Sequence, residues 1–199
     1  MMGRKQEGGK YLQYPTLEQM EEEISRLKYR KRYGRALRGT VYSLAVVAAV
    51  AILVATLWMP VLQITGASMA PTLVDGQFVV AVKESEFQPG DITAFYYNNK
   101  ILIKRVIASA GDWVNISENG DVYVNGVLLE EPYIKEKSLG ECNIELPYQV
   151  PDGKVFVMGD DRAVSLDSRT TAVGPVSKEQ VLGRVVFRVW PLSAFGRVE

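Results

Sequence analysis

Between Thr40 and Pro60 the chain runs for twenty-one residues without a charged side chain. A membrane-spanning helix needs about 20 largely apolar residues, and this stretch supplies them. A buried core helix seldom runs so long without a charge. Trp58, near the far end, suits an anchor at the membrane–water interface. Just before the run stand Arg26, Lys28, Arg30, Lys31, Arg32, Arg35 and Arg38. Basic residues stay on the cytoplasmic side, so the N-terminus is expected inside and residues 61–199 outside the cell membrane. A cleavable secretory signal competes with this reading, because Ala67, Ser68, Met69 and Ala70 offer small residues past the apolar run. However, the preceding polar region is far longer than a typical n-region, and Pro71 follows at once. The expectation is an uncleaved, single-pass anchor over 40–60.

Charge divides the chain. Residues 1–39 hold ten Lys/Arg against five Asp/Glu, while residues 61–199 hold thirteen against eighteen. An acidic excess disfavours nucleic-acid binding by the large C-terminal part, since a phosphate-binding surface needs a basic one. Leu17, Met20, Ile24 and Leu27 recur at helical spacing, with acids early and bases late, which predicts a short helix over 17–35. Its bases are placed to face water and anionic lipid, and no catalytic role is expected of residues 1–39. Residues 1–16, rich in Gly, Lys and Gln, are expected to be mobile.

After Pro60 come short apolar runs broken by turn signals. Phe78–Val82, Asp91–Tyr97, Ile101–Ala108, Trp113–Ile116, Val122–Val124, Val155–Met158 and Val181–Val189 read as strands. Asn98-Asn99 and Asn125-Gly126 are among the breaks, and Asn-Gly between apolar runs signals a hairpin over Asp121–Leu129. The fold class expected is mainly β: an antiparallel extracytoplasmic domain over 61–199 with one N-terminal transmembrane helix. Cys142 is the only cysteine, so no intramolecular disulfide can form. With no histidine and one cysteine, the usual zinc sets cannot be assembled.

The missing histidine matters most for Ser68, in Gly-Ala-Ser-Met-Ala-Pro-Thr-Leu. A serine nucleophile needs a base, and no imidazole is present. Lys104, in Ile-Leu-Ile-Lys-Arg-Val-Ile, is the best substitute. In a strand, Leu102 and Val106 share its face, while Ile101, Ile103, Arg105 and Ile107 face the other way. An ammonium held against apolar side chains loses hydration, and its pKa falls from about 10.4 toward the range of a working base. Without a nearby serine, the plainer reading is a lysine snorkelling out of a half-buried strand. Gly66 and Ala67 allow close backbone approach, and Pro71 stiffens the chain. Ile64, Met69, Leu73 and Leu102 are candidates to line an apolar recognition surface. The Gly159–Arg169 loop packs Asp160, Asp161, Arg162, Ser165, Asp167, Ser168 and Arg169 together. It reads either as a self-contained salt-bridged turn or as a source of a hydroxyl that orients a lysine amine.

Taken in order, these segments resemble the type I signal peptidases, the membrane-bound serine–lysine enzymes that remove signal peptides from exported proteins. The resemblance covers residue 40 to the end. It rests on the anchor, Gly66–Leu73, Gly90–Phe95, Lys104–Asp112 and Gly159–Arg169. It implies Ser68 as nucleophile and Lys104 as general base, with Ser165 orienting the amine and Asp167 and Arg169 bracing the loop. It implies no cofactor, and the signal peptides of preproteins and the lipid bilayer as partners. The short chain with one anchor is similar to the compact form common in Gram-positive bacteria. Three positions depart from the family pattern. Asp161 stands where many members carry Asn. Gly66 has no hydroxyl where some members use a serine as an oxyanion donor, which leaves that task to the Ser68 N–H. Ala108-Ser109-Ala110 replaces a Gly-Leu-Pro-like turn.

Location supports the substrate class, because Ser68 lies eight residues past Pro60 and so near the outer membrane surface. A signal peptide's small-residue cleavage site emerges at that depth. Two rivals stand beside this reading. A self-cleaving serine–lysine repressor would need a DNA-binding domain and no span. A catalytically silent, membrane-anchored β module that binds envelope proteins would have no use for Ser68, Lys104 and Ser165 together.

Overall fold

A computed structural model describes residues 16–83 and 86–198. The expectation of mobility for the N-terminal segment lies, for residues 1–15, outside the described residues. The chain forms two compact units, Met1–Ile52 and Leu53–Glu199.

A single helix, α1, runs from Leu17 to Trp58. The expected juxtamembrane helix and the apolar span are therefore continuous. Gly34 and Gly39 do not break it, although each costs about 1 kcal/mol relative to Ala in a helix interior. Thr16 and Gln19 start the helix as a capping box: the Thr16 N–H donates to Gln19 Oε1 and the Gln19 N–H to Thr16 Oγ1. Pro60 stands two residues beyond the last helical position, where the helix cannot continue. At 1.5 Å per residue, α1 is roughly 63 Å long, about twice the hydrocarbon thickness of a bilayer. None of its residues is buried.

Beyond the end of α1, the strands of the second unit all pair antiparallel. The strands are β1 (Val61–Gln63), β2 (Phe78–Val82), β3 (Ile92–Tyr97), β4 (Lys100–Ala108), β5 (Trp113–Ile116), β6 (Val122–Val124), β7 (Val127–Leu128), β8 (Tyr148–Gln149), β9 (Lys154–Met158), β10 (Val176–Ser177), β11 (Val181–Trp190) and β12 (Gly196–Arg197). The larger sheet has the order β1-β2-β11-β3-β4-β9-β10, with β12 paired to β11. The smaller has the order β7-β6-β5-β8. Asn98 and Asn99 (φ 44° and 62°) close the β3–β4 hairpin, and Asn125 and Gly126 (φ 53° and 80°) close β6–β7. Both are two-residue turns with positive φ at each central residue, which suits the twist of the flanking strands.

The topology brings distant segments together. Ser68 lies in the connection between β1 and β2, Lys104 lies on β4, and the Gly159–Arg169 loop leaves the end of β9, the strand beside β4. One buried cluster, including Ile64, Met69, Leu73, Val79, Ile92 and Val185, packs beneath the Ser68 connection. Leu102 and Val106 join a second cluster with Phe95 and Val157. Pairing between β4 and β9 begins only at Arg105↔Met158, so residues 100–104 pair with β3 alone.

Candidate active site

Ser68 is positioned by the turns around it. Gly66 has φ +90°, a conformation that favours glycine, and its N–H donates to Asp75 Oδ1 at 2.8 Å. Met69, 3% exposed, drops into the core and fixes the chain just after Ser68. The Ser68 hydroxyl is left facing Lys104, whose Nζ lies 2.6 Å from Ser68 Oγ. Among the described residues the Ser68 N–H donates to no protein acceptor.

Lys104 is 2% exposed. Burial strips water from its ammonium and lowers its pKa from 10.5 to about 8. Asp167 opposes that shift, Arg169 adds to it, and Asp160 opposes it again. The amine therefore exists substantially in the neutral form at mildly alkaline pH, with a hydroxyl in contact. That is the chemical requirement for a lysine acting as a base.

The Gly159–Arg169 loop closes over this pair. The Asp161 N–H donates to the Ser68 carbonyl at 3.1 Å. A Cβ on Gly159 would collide with both Ser68 O and Ser165 Oγ, so only glycine fits between them. Ser165 is buried, and its Oγ has no hydrogen-bond partner among the described residues. It sits beside the pair, but the bond to the lysine amine implied by the resemblance is not made. Asp167 takes the Gly159 N–H at 3.0 Å and a two-point bond from Arg169, from Nε at 2.8 Å and Nη2 at 2.9 Å. Arg169 also donates to the carbonyls of Leu139 at 2.6 Å and Arg162 at 3.0 Å. Both charges are fully buried, and each satisfies the other as burial demands.

The loop is not the self-contained turn that its composition suggests. Asp160 pairs with Arg105 on β4, through Arg105 Nε to Oδ1 at 2.9 Å and Nη2 to Oδ2 at 2.8 Å, and it also accepts the Thr72 hydroxyl. Arg162 pairs with Glu131. These partners lie 55 and 31 residues away in sequence, beyond any local pattern.

A small cleft of about 90 Å³ opens beside Ser68, lined among others by Ile64, Met69, Ile101, Leu102 and Ile103. Leu73 is not part of this lining. It is 0% exposed and packed in the core with Val79 and Val185, so it supports the Ser68 turn from beneath rather than facing a ligand. Ile101 and Ile103, which strand alternation puts opposite Lys104, both reach the cleft. The reason is that β9 does not flank this part of β4, so the strand's open edge exposes both faces to one side.

Residues 37–190 match the signal peptidase family, peptidase S26. The chain is 35% identical over 176 residues to signal peptidase IB of Staphylococcus aureus (strain COL), covering 78% of this chain and 90% of that protein. It is 38% identical over 148 residues to thylakoidal processing peptidase 1, chloroplastic, of Arabidopsis thaliana, covering 66% of this chain and 42% of that longer protein. A crystal structure of a signal peptidase I from Enterococcus faecalis V583 aligns over 50% of this chain and 96% of that one, with 30% identity and a TM-score of 0.41.

Proposed function

The chain belongs to the signal peptidase family, peptidase S26, membrane-anchored serine endopeptidases that remove signal peptides from exported proteins, and we propose that it does so with Ser68 as nucleophile and Lys104 as general base. The observation that carries this reading is the 2.6 Å contact between Lys104 Nζ and Ser68 Oγ in a site that lowers the lysine pKa to about 8.

Neutral Lys104 takes the Ser68 hydroxyl proton as Oγ attacks the scissile carbonyl carbon. The tetrahedral intermediate collapses as the C–N bond breaks, and the Lys104 ammonium gives its proton to the departing amine. A water then attacks the acyl ester. Lys104 takes the water's proton, and Ser68 leaves the carbonyl and recovers a proton from the lysine. The Ser68 N–H, which donates to no protein acceptor among the described residues, is left to serve as the oxyanion donor. The Gly66 N–H is engaged by Asp75 and so is not a second donor. The open edge at residues 101–103 suits an extended peptide, which pairs through its backbone. The small volume of the cleft suits small side chains at the positions before the cut.

Residues 1–39 are assigned to the cytoplasm, 40–60 to the span and 61–199 to the outer side, on the strength of the basic cluster before Thr40. A silent β module that binds envelope proteins is disfavoured by the buried lysine, whose desolvation serves no binding purpose. The test is covalent. A serine-directed acylating inhibitor is expected to label Ser68 in step with loss of cleavage, and Ser68→Ala is expected to be unlabelled, folded and inactive. Turnover of a signal-peptide substrate by folded Ser68→Ala would overturn the mechanism.

A further inference from the structure

The loop over the catalytic pair leans on a three-residue stretch, Glu131-Pro-Tyr133, that lies beyond β7 and has no part in the chemistry above. The Glu131 side chain is 1% exposed and that of Arg162 0%. Arg162 donates to Glu131 from both terminal nitrogens, Nη1 at 3.1 Å and Nη2 closer still, and its Nε donates to the Gly159 carbonyl at 3.0 Å. Because Asp167 holds the Gly159 N–H, the residue wedged between Ser68 O and Ser165 is fixed at both of its backbone polar groups. The Tyr133 hydroxyl donates to Glu131 at 2.9 Å. The Tyr133 ring lies 3.9 Å from the Arg105 guanidinium, and Arg105 holds Asp160, the residue after Gly159.

We propose that Glu131 and Tyr133 are positioning residues that set the Lys104–Ser68 contact by clamping Gly159 and Asp160. This inference rests on the reading of Ser68 and Lys104 as nucleophile and base. A buried carboxylate–guanidinium pair contributes little net stability relative to an apolar pair of the same shape. What this pair does supply is a fixed, two-point geometry, and it spends that geometry on the peptide that touches the nucleophile. The ring of Tyr133 does the same through Arg105, which immediately follows the base in β4. Burial, reinforced by Glu131, raises the Tyr133 pKa, so its hydroxyl remains a donor throughout the working range. The groups facing Lys104 itself are Asp167, Arg169 and Asp160, and two of these three are held by arginines of the same network.

The test uses full-length protein in lipid–detergent micelles with a signal-peptide substrate. It compares kcat, KM and pH profiles of E131Q, Y133L, Y133F and the paired variant E131M/R162M. E131Q and Y133L are expected to lower kcat about ten- to a hundred-fold with KM little changed, as misplacement of a catalytic group does. Their acid limb is expected to move to higher pH, because a loosened loop admits water to Lys104. Y133F keeps the ring over Arg105 and is expected to recover most of the rate lost in Y133L. E131M/R162M removes both buried charges, so it is expected to regain thermal stability while the rate stays low. A wild-type kcat and pH profile in folded E131Q or in E131M/R162M would overturn the proposal. So would a rate that returns in step with stability alone. If E131Q does not fold, the paired variant and the Tyr133 series decide. Full activity of Lys104→Arg would instead remove the base, and that result reads independently of any Glu131 variant.

Discussion

The backbone N–H of Asp161 donates to the carbonyl of Ser68 at 3.1 Å, so the nucleophile's own peptide is tied to the loop that leaves β9. A displacement of Gly159 or its neighbours is therefore expected to be felt at Ser68 Oγ. This is why residues that never approach a substrate are expected to control rate.

Gly159→Ala tests that coupling most directly. The new methyl group meets Ser68 O and Ser165 Oγ at once, and the first of these is backbone that cannot swing aside. We expect a loss of about 1–3 kcal/mol in stability from overpacking. In the protein that remains folded, kcat is expected to fall by about ten- to a hundred-fold. Urea unfolding and steady-state kinetics on the same preparation separate the two effects. An unchanged kcat would mean that the loop does not position the nucleophile.

Lys104→Arg is expected to be as damaging as Lys104→Ala. Arginine keeps the charge and much of the length but does not release its proton at working pH. In the wild type, activity is expected to rise with pH through a midpoint near 8, because only the neutral amine accepts the Ser68 proton. A kcat/KM profile that is flat from pH 6 to 10 would contradict the role assigned to the lysine.

Lys104→Met is expected to be more thermally stable than the wild type at neutral pH. The lysine pKa is lower folded than unfolded, so between these values the unfolded chain binds the extra proton. Stability therefore rises with pH through that window and is lost as pH falls through about 8. The advantage of Lys104→Met over the wild type should shrink as pH is raised from 8 toward 10.5. Melting temperatures of the two proteins, measured in parallel across this range, check the sign.

Protease added outside intact spheroplasts is expected to degrade residues 61–199 and to spare a tag placed at the N-terminus. The seven bases between Arg26 and Arg38 are the ground for that expected orientation. Digestion only after the membrane is permeabilised would reverse the assignment.

Much of the architecture was legible where periodicity or turn chemistry had room to speak. Phe78–Val82, Trp113–Ile116 and Val122–Val124 form strands with the bounds read from their apolar runs and flanking turn signals. The Asn98-Asn99 and Asn125-Gly126 turns follow from residue types that tolerate positive φ. By contrast β1, β8, β10 and β12 are two or three residues long, too short to show a period of two, and exist because longer neighbours offer an edge. Residues Thr40–Pro60 announced a helix, but its union with the 17–35 segment did not show, since the charged amphipathic pattern and the uncharged apolar run are different signals. The serine and lysine were conspicuous because no histidine competes with them. The partners of Asp160 and Arg162 were not. Arg105 and Glu131 meet them only through tertiary structure, and a carboxylate close in sequence looks the better partner until the fold is known.

The order of the larger sheet has a consequence for when this enzyme becomes dangerous to its surroundings. The hairpin β1–β2 carries Ser68 and the hairpin β3–β4 carries Lys104, yet the two do not pair with each other. They are joined through β11, residues Val181–Trp190, which inserts between β2 and β3. A chain emerging across a membrane from its N-terminal end presents both reacting residues long before that strand arrives. Until it does, the desolvated contact between Lys104 and Ser68 is not expected to form. Insertion of β11 is therefore expected to complete the site, so that a partly emerged copy does not yet cleave its neighbours.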